Sequence, residues 1–156
     1  DGLRVGFMGD LRYGRTVHSL ASALLHFDAD LRFVGPPSLR LPDELRDTLL
    51  RAGRLGAEVV TLDELGPVDV LYVTRIQKER FPDPLDYERV KSAYRIDRAA
   101  VDRFGPALKI LHPLPRVNEV DPDVDSHPGD LYFQQARNGV TVSMALLNLI
   151  LGGAAT

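Results

Sequence analysis

Short apolar runs alternate along this chain with longer stretches in which apolar residues recur every three or four positions. Leu3 to Gly9 (Leu-Arg-Val-Gly-Phe-Met-Gly) is too short for a helix and stops at glycine, the mark of a buried strand. Asp10 to Gly14 follows as a loop. Val17, Leu20, Ala21, Leu24 and Leu25 then give Thr16 to Phe27 a helical stripe. Further strands are predicted at Leu31–Gly35, Ala57–Thr61, Val68–Thr74 and Leu108–Leu111. Pro42-Asp43-Glu44 opens a second helix with a first-turn proline and early acids, ending near Gly53. A short turn covers Asp63 to Leu65. Arg75 to Tyr94 is polar and holds Pro82 and Pro84, which predicts a loop and then a helix from about Leu85. Asp97 to Phe104 reads as a short helix. His112 to Gly129 reads as a long proline-rich loop, and Val140 to Leu151 as a last apolar helix stopped by Gly152-Gly153.

Strands alternating with helices imply an α/β fold: a doubly wound parallel sheet of about five strands with helices on both faces. Ligands of such sheets sit beyond the carboxyl ends of the strands. The segments expected there are Asp10–Arg15, Pro36–Leu39, Arg75–Arg80 and His112–Arg116. Arginine recurs among them, so the predicted site suits an anion.

Composition narrows the class. The chain has 156 residues, 44% hydrophobic and 26% charged, which fits one compact domain over residues 1–156. It has no cysteine, so disulfides, thiolate metal sites and thiol nucleophiles are excluded. A formal net charge of −3 gives no general pull toward nucleic acid or an anionic membrane. No apolar run reaches the roughly 18 residues of a membrane span. The start, Asp1-Gly2-Leu3-Arg4, lacks a signal-peptide layout, so a cytoplasmic location is expected. Beginning at once on a strand suggests a domain cut from a longer chain. Of the 19 basic residues only Lys78, Lys91 and Lys109 are lysine. Codon usage in a GC-rich genome is one reading of that bias; bidentate contacts to carboxylate or phosphate are the functional reading for a few.

Individual motifs then sort. Gly6, Gly9 and Gly14 miss the G-x-G-x-x-G spacing, and Gly35-Pro36-Pro37 replaces the acid that would hold a ribose; no nicotinamide or other cofactor is expected. His18, His26 and His127 have no metal-ligand spacing, and neither G-x-S-x-G nor H-E-x-x-H occurs. Arg15 lies at the mouth of the first helix, where backbone donors favour an anion, although pairing with Asp10 at the surface explains it equally. Arg75 and Gln77 alternate to one side after the fourth strand and together suit a carboxylate; a solvated polar loop is the alternative. In His112-Pro113-Leu114-Pro115-Arg116 the prolines remove N–H donors, leaving a stiff run of carbonyl acceptors suited to an amine or amide. His112 itself reads as a buried, hydrogen-bonded side chain.

Several of these runs coincide with one family. Gly9-Asp10-Leu11-Arg12-Tyr13-Gly14-Arg15-Thr16-Val17-His18-Ser19, Thr74-Arg75-Ile76-Gln77-Lys78-Glu79-Arg80, Leu111-His112-Pro113-Leu114-Pro115-Arg116-Val117-Asn118-Glu119 and Tyr132-Phe133-Gln134-Gln135-Ala136-Arg137-Asn138-Gly139 keep a shared order along nearly the whole chain. In these the chain resembles the aspartate-binding, carboxyl-terminal domain of aspartate carbamoyltransferase, a Rossmann-like domain. Pro113 stands where the sister ornithine enzyme has cysteine, which argues for aspartate.

The resemblance implies carbamoyl transfer in pyrimidine biosynthesis. The α-amine of L-aspartate attacks carbamoyl phosphate, phosphate leaves, and N-carbamoyl-L-aspartate forms. It implies that Arg15, Arg75 and Gln77 hold the aspartate carboxylates and that the backbone carbonyls of Pro113 and Leu114 hold the reacting nitrogens. No side chain of this chain is then assigned to the chemistry itself, since orientation and charge stabilisation suffice. It further implies a mobile loop over Arg75–Tyr94, with Lys78, Glu79 and Arg80 trading ion pairs. Arg12 and Asn118 depart from the commoner lysine and aspartate. A homotrimer is implied for the complete enzyme, with regulatory chains as further partners, and no nucleic acid or membrane. The family's carbamoyl-phosphate domain, with its Ser-Thr-Arg-Thr segment, has no match here, so the chain alone is expected to be inactive. The last helix is expected to pack on that domain. The alternatives are a non-catalytic dicarboxylate-binding or assembly module and, at the level of fold alone, a cofactor-binding oxidoreductase.

Overall fold

The computed structural model describes residues 2–78, 81 and 83–152. Five strands, β1 (Leu3–Met8), β2 (Ala29–Val34), β3 (Leu55–Val59), β4 (Val70–Val73) and β5 (Lys109–Leu111), form one sheet in the order β3-β2-β1-β4-β5. Every pairing is parallel, with Leu3 opposite Ala29, Val5 opposite Val70 and Val70 opposite Lys109. The order reverses between β1 and β4, so the crevice of a doubly wound sheet opens above those two strands.

Period-two alternation sorts the strand residues onto two faces. Val5, Phe7, Leu31, Phe33 and Tyr72 face α1 (Arg15–Leu24) and α2 (Asp43–Arg51), whose Val17, Ala21 and Leu49 are buried against them. Phe7 stacks on Phe33 with ring centroids 5.0 Å apart. Met8, Val34, Leu71, Val73 and Ile110 form the opposite face with Ile96, Val101, Val124 and Tyr132. That side is covered by α3 (Pro84–Ala93), α4 (Arg98–Asp102) and the first turn of α5 (Tyr132–Leu151). Asp83 and Asp97 cap α3 and α4, each accepting a backbone N–H from the first turn.

The chief difference from expectation is the start of α5, which begins at Tyr132 rather than Val140. Its first two turns set Tyr132 and Phe133 before Gln134, Gln135, Arg137 and Asn138, so no repeating apolar stripe announces them. They are fixed instead by tertiary contacts: Leu131 N–H bonds to the Ile110 carbonyl, and Gln135 to the His112 backbone. The long loop also holds a short 3-10 turn, Pro122–Ser126. Beyond Asn138 every described residue of α5 is exposed, including Val140, Met144, Leu147 and Ile150. Gly153 lies outside the described residues. No helix among the described residues is long and apolar enough to cross a membrane.

Candidate functional site

Three loops leave the carboxyl ends of the adjacent strands β1, β4 and β5, and the chain ties them together. Gly9 ends β1 at φ 120°, and a Cβ there would come within 2.3 Å of the Thr74 carbonyl oxygen. Only glycine permits this crossing. Thr74, buried at the end of β4, donates its hydroxyl to the Met8 carbonyl (3.2 Å) and accepts the Asp10 N–H (3.1 Å). Asp10 Oδ1 accepts the Tyr13 N–H (2.8 Å), and His18 Nε2 bonds to the Leu11 carbonyl (2.8 Å). The β1 loop is therefore folded back onto α1. Gly14 precedes Arg15 without a side-chain cap, so the first amides of α1 keep their capacity for a ligand.

Arg15 is exposed on that first turn and does not pair with Asp10. It lines an open groove of about 700 Å³ with Thr16, Ser19, Tyr72, Leu111 and Gln135. The groove runs over the β4–β5 part of the sheet, between α1 and α5. Burial raises the Tyr72 hydroxyl pKa, and a bond with Thr16 tempers the shift.

Arg75 is exposed just beyond β4, between buried Thr74 and Ile76. It borders a narrow crevice with Tyr87, Lys91, Tyr94 and Val117–Glu119. Arg15 and Arg75 thus belong to two different concavities of this chain. Gln77 is half-buried and Lys78 exposed, whereas Glu79 and Arg80 lie outside the described residues. Arg4, Arg32, Arg54, Arg98 and Arg116, among others, close ion pairs with acids. Arg15 and Arg75 make none with any described residue.

Pro113 and Leu114 are half-buried on the β5 loop. Leu114 has φ 52°, a left-handed conformation that costs a non-glycine residue on the order of 1 kcal/mol and must be held by its surroundings. Two clusters do the holding. His112 Nδ1 accepts the Leu114 N–H (2.8 Å), and its Nε2 meets Glu119 Oε1 at 2.8 Å. Burial raises the Glu119 carboxyl pKa, but the His112 bond and backbone N–H donors outweigh that and leave it below the ordinary carboxylate range. On the other side Arg116 forms a two-pronged pair with Asp125, and both reach the Tyr132 hydroxyl. The Asp125 bond raises the Arg116 pKa, and Arg116 in turn lowers that of Asp125. His112 is the buried, hydrogen-bonded side chain the sequence suggested. Glu119, Gln135, Tyr132, Thr74 and His18 belong to this framework too; each lies inside a motif quoted above, but no spacing in the sequence marks its contact.

Among the described residues no three histidine or acidic side chains gather as a metal site. Chemically, two strand-end loops present guanidinium groups with no acid partner among the described residues, and the β5 loop, through its prolines, presents mostly carbonyl acceptors. That combination can hold a carboxylate and an N–H-bearing centre.

Residues 1–150 match the family described as aspartate/ornithine carbamoyltransferase, Asp/Orn binding domain. The chain is 53% identical over 154 residues to the aspartate carbamoyltransferase catalytic subunit of Methanopyrus kandleri, covering 97% of this chain and 50% of that protein. Among solved structures, the catalytic subunit of M. jannaschii aspartate transcarbamoylase superposes with TM-score 0.91 at 48% identity, over 98% of this chain and 51% of that one. The Trypanosoma cruzi aspartate transcarbamoylase in complex with aspartate and phosphate superposes with TM-score 0.79 at 35% identity, over 94% and 46%. The chain therefore spans about half the length of the curated relatives it matches.

Proposed function

The chain belongs to the aspartate/ornithine carbamoyltransferase family through its Asp/Orn binding domain, and we propose that it forms the aspartate-binding half of an aspartate carbamoyltransferase. In this reading the α-amine of L-aspartate attacks the carbonyl carbon of carbamoyl phosphate. The new C–N bond forms, the C–O bond to phosphate breaks, the amine gives up a proton, and N-carbamoyl-L-aspartate and inorganic phosphate result. Arg15, Arg75 and Gln77 take the two carboxylates. The carbonyls of Pro113 and Leu114 accept N–H groups of the reacting centre and fix its orientation. Catalysis is then placement and charge stabilisation.

One observation carries the proposal: in a chain whose arginines mostly pair with acids, Arg15 and Arg75, on the loops that follow β1 and β4, have no acid partner among the described residues. An exposed guanidinium is complementary to the carboxylates of an anionic amino acid. Carbamoyl phosphate would be held by residues outside this chain, because no Ser-Thr-Arg run occurs in it. The exposed half of α5 would pack on that other domain. The complete enzyme would be a cytoplasmic homotrimer serving pyrimidine biosynthesis.

Steady-state kinetics of the complete polypeptide test this. Arg75→Ala should raise KM for aspartate by about 100-fold, the loss of a charged bidentate contact worth about 3 kcal/mol, and leave carbamoyl phosphate binding unchanged. Unaltered aspartate kinetics would remove Arg75 from the site. The present chain alone should form no N-carbamoyl-aspartate, and turnover by it would overturn the division of the site.

A further inference from the structure

His112 and Glu119 touch no substrate in the reading above, yet they are 2% and 6% exposed and face each other inside the β5 loop. The loop has few backbone donors, because Pro113 and Pro115 contribute none. Four of them are engaged: His112 N–H on Gln135 Oε1 (2.9 Å), Leu114 N–H on His112 Nδ1 (2.8 Å), Val117 N–H on Glu119 Oε1 (3.2 Å) and Asn118 N–H on Glu119 Oε2 (3.0 Å). The Glu119 main chain is fixed as well, its carbonyl accepting the Ile96 N–H at 2.9 Å. An imidazole whose Nδ1 accepts a bond carries its proton on Nε2 when neutral. That proton points at Glu119 Oε1, so the carboxylate selects the ring form that can receive the Leu114 amide.

We infer that His112 and Glu119 form a positioning pair for the transfer site: Glu119 sets the His112 tautomer, and His112 holds Leu114 in its left-handed conformation, aiming the Pro113 and Leu114 carbonyls. The inference rests on the assignment of those carbonyls to the reacting nitrogens. A group that orients the reacting centre without touching the carboxylates acts on turnover more than on aspartate affinity. The pair is therefore distinguishable from Arg15 and Arg75 by kinetics alone.

Two substitutions separate the ring nitrogens. His112→Asn keeps an acceptor near the Nδ1 position, whereas His112→Gln keeps a donor toward Glu119 and loses that acceptor. In the complete enzyme, His112→Gln should lower kcat by about 30-fold or more while KM for aspartate stays within about 3-fold. His112→Asn should recover about ten-fold of that loss. Equal kcat losses in both variants, wild-type kcat in His112→Gln, or a loss expressed mainly in KM would each overturn the inference. If either variant fails to fold, 15N spectra of histidine-labelled wild-type enzyme decide: a proton on Nε2 with hydrogen-bonded Nδ1 supports the pair, and a proton on Nδ1 overturns it. A wild-type enzyme that does not carbamoylate aspartate would instead sink the functional reading, leaving the tautomer result to stand separately.

Discussion

Tyr132 and Ile150 lie near opposite ends of one helix, and water treats them oppositely: Tyr132 is 0% exposed and Ile150 76%. The first turns of α5 are mostly polar in sequence yet locked into the domain by Tyr132, Gln135 and the Arg116–Asp125 pair. The later turns are apolar in sequence yet touch almost nothing. A helix stripe ordinarily finds its own core. Here the end with the polar residues is bound and the apolar end is exposed. Packing, more than hydropathy, decides which part of α5 belongs to this domain.

The comparison breaks most visibly at the bound end. Tyr132→Ala should cost about 3–5 kcal/mol, read as a lower urea midpoint, because it empties a fully buried aromatic site. A loss below about 1 kcal/mol would mean that this end is not anchored as described. Asp125→Asn should cost less, about 1–2 kcal/mol, since it weakens hydrogen bonds to a charged partner at a partly exposed site. Its effect has a pH signature. The Arg116 bond lowers the Asp125 pKa on folding, so its contribution is complete above about pH 4 and disappears as pH falls through the lower folded value. Wild type and Asp125→Asn should therefore converge in acid, and a constant gap between their midpoints would exclude the linkage. Smallest is the effect at the free end: Leu147→Ser, at a position 57% exposed, should change stability of the present chain by less than about 0.5 kcal/mol. A larger destabilisation would show that the later turns find cover within the domain.

The sequence made some of this legible and hid the rest for physical reasons. The strands were readable because β1 and β4 are short apolar runs bounded by breakers. Arg15 and Arg75 are legible as candidates because each lies beyond a strand, where a doubly wound sheet gathers ligands. Tyr132–Gly139 gave no helical signal, since its stabilising contacts reach back to Ile110 and His112. The His112–Glu119 pair follows no periodicity, because an irregular loop creates it. Nor could composition reveal that Gly9 must admit the Thr74 carbonyl, a contact between residues far apart in sequence.

The unsupported end of α5 has a thermodynamic consequence for any measurement on this chain. Whatever covers that ridge binds the folded state and not the unfolded one, so by mass action it raises the apparent midpoint of unfolding. A second molecule seated there makes the midpoint depend on concentration, whereas a further domain of the same polypeptide raises it by a fixed amount at every dilution.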